Sequence, residues 1–225
     1  MAVATQQVRA RDFLPSIKSL FPGGTLTYHN VDWEEYEWLL EDMGAGYSAR
    51  ISYDHGKLEI HIPLPIHDFM KICLSDLMRA IADMLEIDLN GFGSTTFKYK
   101  GWLQGVEPDS CYYLSNDRRI LGVYRFDPNV PPPPPDVAIE VDVTSESLSR
   151  FHIYQNLGVP EIWRCDETQI QFFHLTENGY VEAATSRAFP LLTAPVLLQF
   201  LERCIEEGQS VALREFRQWV KTQLG

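Results

Sequence analysis

Basic residues are scarce in this chain: 19 Lys and Arg stand against 31 Asp and Glu, a formal net charge of −12 over 225 residues. Phosphate binding normally draws on a basic surface, so this deficit weighs against nucleic-acid binding without vetoing it: acids gathered in a metal site and offset by bound cations would account for part of the charge, and a local basic stripe can coexist with an acidic whole. Cysteine is also sparse. Cys73, Cys111, Cys165 and Cys204 are scattered with no C-x-x-C pair, which argues against a zinc cluster or disulfide framework and reads as buried thiols. No apolar run approaches the ~18–20 residues that span a bilayer, and the N-terminus lacks a basic-then-apolar leader, so a cytoplasmic location away from membranes is expected. Neither G-x-x-x-x-G-K-S/T nor G-x-G-x-x-G occurs, and there is no internal repeat, which excludes the common nucleotide loops and solenoids.

What is present suits one α/β domain with appendages, with 45% hydrophobic and 22% charged residues. Residues 1–31 lack strong periodicity and contain the turn Pro22-Gly23-Gly24, so they are expected to form a loose arm. Asp32 caps a predicted helix carrying Trp33, Tyr36, Trp38, Leu39, Leu40 and Met43, with Glu34 and Glu35 in its first turn and Gly44 past its end. Two alternating runs around Asp54-His55-Gly56 predict a hairpin, and Ile66 to Leu85 an amphipathic helix. Strands are expected over 92–102, 110–114, 161–165 and 170–175. Helices are expected over 146–157, capped by Thr144 or Ser145, and near 193–207 and 210–223. The domain reading is therefore an arm (1–31), a main domain (32–205) and a C-terminal helical extension (206–225).

One strand stands apart. Pro131 to Pro135 form a stiff extended lead-in to Asp136-Val137-Ala138-Ile139-Glu140-Val141-Asp142-Val143. Alternation puts Asp136, Ala138, Glu140 and Asp142 on one face and the β-branched residues on the other. Adjacent carboxylates repel, and burying them without a partner costs more, so the pattern predicts a cation beside them, with a divalent metal the leading candidate.

Three ordered motifs then point to a family. Glu107-Pro108-Asp109-Ser110-Cys111-Tyr112-Tyr113, Pro135-Asp136-Val137-Ala138-Ile139-Glu140-Val141, and Tyr154 with Leu157-Gly158-Val159-Pro160-Glu161-Ile162-Trp163 together resemble the bacterial restriction-endonuclease domain of the PD-(D/E)XK superfamily. Gly56-Lys57-Leu58-Glu59-Ile60 and His67 upstream fit the same pattern, and the resemblance covers about residues 33–205. It implies an α/β restriction-endonuclease-like core, a mixed sheet flanked by helices, and metal-dependent hydrolysis of DNA phosphodiester bonds. Asp109 and Glu140 would hold Mg²⁺ or Mn²⁺, hard cations suited to carboxylates. The chain departs from the pattern where E-x-K expects lysine: it has Asp142. Arg150 in the following helix matches the position of a migrated basic residue, and can clamp a phosphate or pair with Asp142, but guanidinium is a poor base. Asp142 can bind metal or take a proton from water. The rival reading is a catalytically inactive binding or regulatory module of the same fold, and homodimerisation stays open. Glu59 can join the site or be a solvated strand acid. His67, Phe151, Tyr154 and Trp163 read most simply as packing residues.

Overall fold

The computed structural model describes residues 10–44, 49–114, 120–122, 126–127, 129–143 and 148–225. Its first half contains α1 (Ala10–Ser19), β1 (Thr25–Tyr28), α2 (Trp33–Met43), β2 (Arg50–Asp54), β3 (Lys57–His61), α3 (Pro65–Met84), β4 (Asn90–Gly91), β5 (Phe97–Tyr99), β6 (Gln104–Val106) and β7 (Ser110–Tyr113). Its second half contains β8 (Val137–Val141), α4 (Phe151–Leu157), β9 (Glu161–Cys165), β10 (Ile170–Thr176), β11 (Gly179–Ala183), α5 (Ala194–Glu206) and α6 (Gln209–Leu224). Local chemistry sets many of these boundaries. The Glu35 carboxylate accepts from the Asp32 N–H at 3.1 Å, fixing the start of α2. His55 (φ 46°) and Gly56 (φ 93°) both take the left-handed conformation that a tight hairpin between β2 and β3 requires.

Two sheets result, ordered β1-β3-β2-β6-β5 and β11-β10-β9-β8-β7-β4. Among the described residues all strand pairings are antiparallel except β8 with β9, whose parallel alignment follows from the helical crossover through α4. The chain passes from one sheet to the other through Glu107-Pro108-Asp109, between β6 and β7. Proline cannot donate to a ladder, which favours a break in pairing there. Val137, Ile139 and Val141 face a core built with α3, α5 and α6, whereas Ala138 packs on the opposite side with α4. The strand thus divides as its alternation predicts.

Several expectations are revised. The segment expected to be a loose arm is anchored: Phe13 and Ile17 of α1 are buried, and β1 pairs with β3 from Thr25↔His61 to Tyr28↔Leu58. Phe92 to Trp102 is not one strand, because only Phe97–Tyr99 pairs before a 3₁₀ turn at Lys100–Trp102. The helix expected from 146 begins as a 3₁₀ turn at Leu148–Arg150 and becomes α-helical at Phe151, while its predicted caps, Thr144 and Ser145, lie outside the described residues. Ala212, Phe216 and Val220 of α6 join the same core as α3, so the C-terminal extension packs on the main domain. The four cysteines are free and buried, as expected. Among the described residues no helix is long and apolar enough to cross a membrane.

Gly105 is required by a close approach. A Cβ on Gly105 of β6 would collide with Tyr36, which is fully buried and stacked on Tyr53 at 4.8 Å. Gly105→Ala is expected to cost about 1–3 kcal/mol in a denaturant titration. An unchanged midpoint would show that Tyr36 yields without strain.

Candidate active site

The two sheets meet at a cleft of about 370 Å³, open mouth included. Arg50, Ile51 and Ser52 of β2 and Glu59 and His61 of β3 form one wall. Glu107 and Asp109 of the crossing segment and Glu140 and Val141 of β8 form the other, with His67 of α3 and Arg150 closing the ends.

Asp109 and Glu140 come together by strand register. Ser110 pairs with Ile139, so continuing the antiparallel ladder by one residue sets Asp109 opposite Glu140, on the same face. The Asp109 carboxylate is pinned on both oxygens, accepting from the Val141 N–H at 2.9 Å and from Arg50 Nε at 3.1 Å. Glu140 is only 1% exposed. It accepts from the Tyr154 hydroxyl and from Arg150 Nη2, the latter at 3.2 Å. Burial pushes its carboxyl up to about 7, aided by the nearby Asp109 and Asp142 charges and opposed by Arg150 and Tyr154.

Arg150 reaches the acids, though with different partners from those expected. Besides Glu140 it lies 3.6 Å from Glu59. Burial works against its charge, but Glu140 and the other surrounding acids outweigh that effect and hold the guanidinium above its ordinary range. Asp142 is instead bound by Arg164, whose Nε lies 2.6 Å from its carboxylate. The parallel register explains this pairing: Glu140 aligns with Arg164, so the guanidinium starts on the acid-bearing face and reaches one step along it. Asp142 does not line the cleft. Asp136, on the same predicted face, is used at the strand start, where it accepts from the Leu114 N–H at 2.7 Å.

The remaining wall is rich in titratable groups. His61 is pushed down to about 4, first by burial and then by the neighbouring His67 and Arg150. Burial also lowers His67. Glu107 accepts from the Ile51 N–H at 3.1 Å and from Thr96, tying the crossing segment to β2, and burial raises its carboxyl. Among the described residues no group of three His, Cys, Asp or Glu side chains is gathered closely enough to hold an ion as it stands. The two central carboxylates are turned to guanidinium groups instead.

Sequence reading missed Arg50, Arg164, His61 and the polar role of Tyr154. Arg50 meets Asp109 across 59 positions, a contact with no local sequence pattern. For Arg164 the signal was partial: a strand-helix-strand unit predicts that β9 runs parallel beside β8, but the register that sets Arg164 against Glu140 is fixed only in the fold. Tyr154 was read as core, which its burial matches, yet its hydroxyl is spent on Glu140.

The Uma2 family, described as a putative restriction endonuclease, matches residues 33–204 of the chain. No curated protein matches it. Among solved structures, a putative nuclease belonging to DUF820 from Anabaena variabilis ATCC 29413 superposes with a TM-score of 0.51 at 16% identity, covering 76% of this chain and 99% of that one. At that identity the likeness shows the fold alone. The fold is the restriction-endonuclease-like α/β arrangement that the sequence motifs implied.

Proposed function

Because this chain belongs to the Uma2 restriction-endonuclease family, with Asp109 and Glu140 side by side in one cleft, we propose that it is a metal-dependent endonuclease that hydrolyses DNA phosphodiester bonds. The observation that carries this reading is the register that sets the two buried acids together. The donor set fits a divalent cation in kind: two carboxylates, and lining the same cleft a buried His67 Nε2 that has no hydrogen-bond partner among the described residues. Asp109 and Glu140 would hold Mg²⁺ or Mn²⁺, which when bound supplies charge that polarises the scissile phosphoryl group and acidifies the attacking water.

The chain's own residues then divide the work. Arg150 and Arg50 line the same cleft and are the local basic stripe that an acidic chain needs to approach a phosphate. Arg150 can hold a phosphoryl oxygen through paired N–H donors, and the Glu59 and Glu140 carboxylates aim it. Neither guanidinium accepts a proton, so that task falls to a carboxylate or to solvent. Tyr154 fixes the rotamer of Glu140 through its hydroxyl. Val141 fixes that of Asp109 through its N–H.

A supercoiled-plasmid nicking assay tests the proposal: nicking with Mg²⁺ or Mn²⁺ and none after chelation is expected. Arg150→Ala is expected to lower the nicking rate on the order of 10²-fold, as for loss of one preorganised transition-state donor. Arg150→Lys, which restores an amine near the place E-x-K expects one, should recover part of it. Nicking that survives chelation would show that other groups do the chemistry.

A second reading has its own support. Asp142 stands where lysine is expected and is bound by Arg164, which favours a non-catalytic module that kept the acids. DNA binding without nicking under any divalent ion would select that reading.

A further inference from the structure

The N-terminal segment, anchored through α1 and β1, carries a turn to one end of the cleft. Phe21-Pro22-Gly23-Gly24 closes on itself, the Gly24 N–H donating to the Phe21 carbonyl at 2.9 Å. It is also tied to the chain just past β3: the Gly23 N–H donates to the Ile62 carbonyl at 2.7 Å, and the Ile62 N–H to the Gly24 carbonyl at 3.0 Å. Ile62 follows His61, which lines the cleft and whose Nδ1 lies 2.9 Å from Thr25 Oγ1, the residue after the turn. Phe21 is thus fixed beside the cleft, yet it is 70% exposed, more than any other large hydrophobic residue among the described residues. A lone exposed apolar side chain is ordinary, and what singles this one out is the fixed turn together with the charge around it. Lys18, exposed in the last turn of α1, stands just before the turn. His67, its ring centroid 5.6 Å from that of His61, puts the start of α3 at the same end. There Lys71 lies 2.6 Å from Asp68, and the same Asp68 oxygen lies 3.9 Å from Arg50. Lys18, Arg50 and Lys71 therefore outnumber Asp68 and Asp109, a local excess of positive charge on a chain of net charge −12.

We propose that a single strand of DNA leaves the cleft across this end, with an unpaired base stacked on Phe21 and backbone phosphates held by Lys18 and Lys71. The proposal rests on the nuclease reading given above and narrows its substrate to a strand with unpaired nucleotides beside the scissile bond. Aromatic rings interleaved with cations bind single strands with little regard to sequence, because every base has a π-face. A base inside a duplex is already stacked on its neighbours and offers no free face, so intact duplex gains only the charge contacts.

The test is fluorescence anisotropy of the full chain with a labelled oligothymidine and with a blunt duplex of the same length, in Ca²⁺ and over a range of salt concentrations. Wild type is expected to bind the single strand more tightly than the duplex. Phe21→Ala and Phe21→Leu should each weaken single-strand binding on the order of tenfold without changing its salt dependence, and Phe21→Trp should preserve it. Lys18→Gln and Lys71→Gln should each lower the slope of log K against log salt by about 0.7. A duplex bound as tightly as the single strand, or Phe21→Leu binding like wild type, overturns the stacking role and leaves the nuclease reading to the nicking assay. Failure of wild type to bind either polymer overturns both. If Phe21→Ala melts below wild type, Phe21→Leu and the two lysine slopes decide, since a purely structural ring would be rescued by leucine and would leave those slopes unchanged.

Discussion

Glu140→Gln is expected to make the metal-free protein more stable above pH 7 while lowering metal-dependent nicking on the order of 10³-fold. The stability half follows from burial. The carboxyl of Glu140 is raised from 4.5 to about 7, so the folded protein binds this proton more tightly than the unfolded chain does. Between those pH values the native state carries the extra proton, and stability falls as pH rises. The penalty is absent below about pH 4.5 and complete above 7, where it amounts to about 3 kcal/mol.

Glutamine keeps the shape and removes the charge. Its amide can still meet the Tyr154 hydroxyl, and Arg150 keeps Glu59 at 3.6 Å. A melting temperature raised by several degrees at pH 8 in chelator, and by almost nothing near pH 4.5, is the expected result. The activity half follows from the same charge, because a neutral amide is a much weaker ligand for a hard cation. A variant less stable than wild type at pH 8 would show that the Arg150 pair outweighs burial. A stable variant that still nicks DNA in a metal-dependent way would remove Glu140 from the chemistry.

This opposition between stability and activity also bears on how the sequence could be read. Glu140 was legible because a carboxylate flanked by Val137, Ile139 and Val141 has little reason to be there except function. Asp109 was legible only jointly, since a Pro-Asp pair alone is ordinary turn chemistry and its meaning came from the strand that follows. The hairpin, the long helix α3 and the last two helices were legible from periodicity. By contrast β1 is a four-residue strand with no long apolar run, held by its partner β3 and not by its own pattern. The same limit explains the site's cations. A carboxylate in an apolar strand announces that a positive charge is needed, but which arginine supplies it depends on sheet order. Arg150, ten positions along the chain from Glu140, was found, whereas Arg50 and Arg164 arrive through the hairpin and through β9.

Arg164 carries the remaining large prediction, because its partner decides what Asp142 is for. The Asp142 side chain is 2% exposed, with the Arg164 guanidinium at 2.6 Å. Arg164 also donates to Gln171 at 2.8 Å, and Gln171 to Glu182 at 3.0 Å, so the pair anchors a polar ladder across β9, β10 and β11. Arg164→Met removes the cation from a buried carboxylate and breaks that ladder, and is expected to cost on the order of 3–5 kcal/mol, a fall in melting temperature of roughly 10 °C. Asp142→Asn/Arg164→Gln, which neutralises both partners, should recover most of the loss, since the penalty lies in the uncompensated charge more than in the missing bond. Asp142→Asn alone then separates structure from chemistry. If Asp142 serves the sheet, this variant nicks DNA within about threefold of wild type once assayed below its own melting transition, a difference worth under 1 kcal/mol in barrier. If Asp142 takes the proton or binds the cation, nicking falls as far as in Glu140→Gln with the fold intact. The pairing with Arg164 and the place of Asp142 outside the cleft lining favour the first outcome, in which the residue that replaced the expected lysine became part of the scaffold.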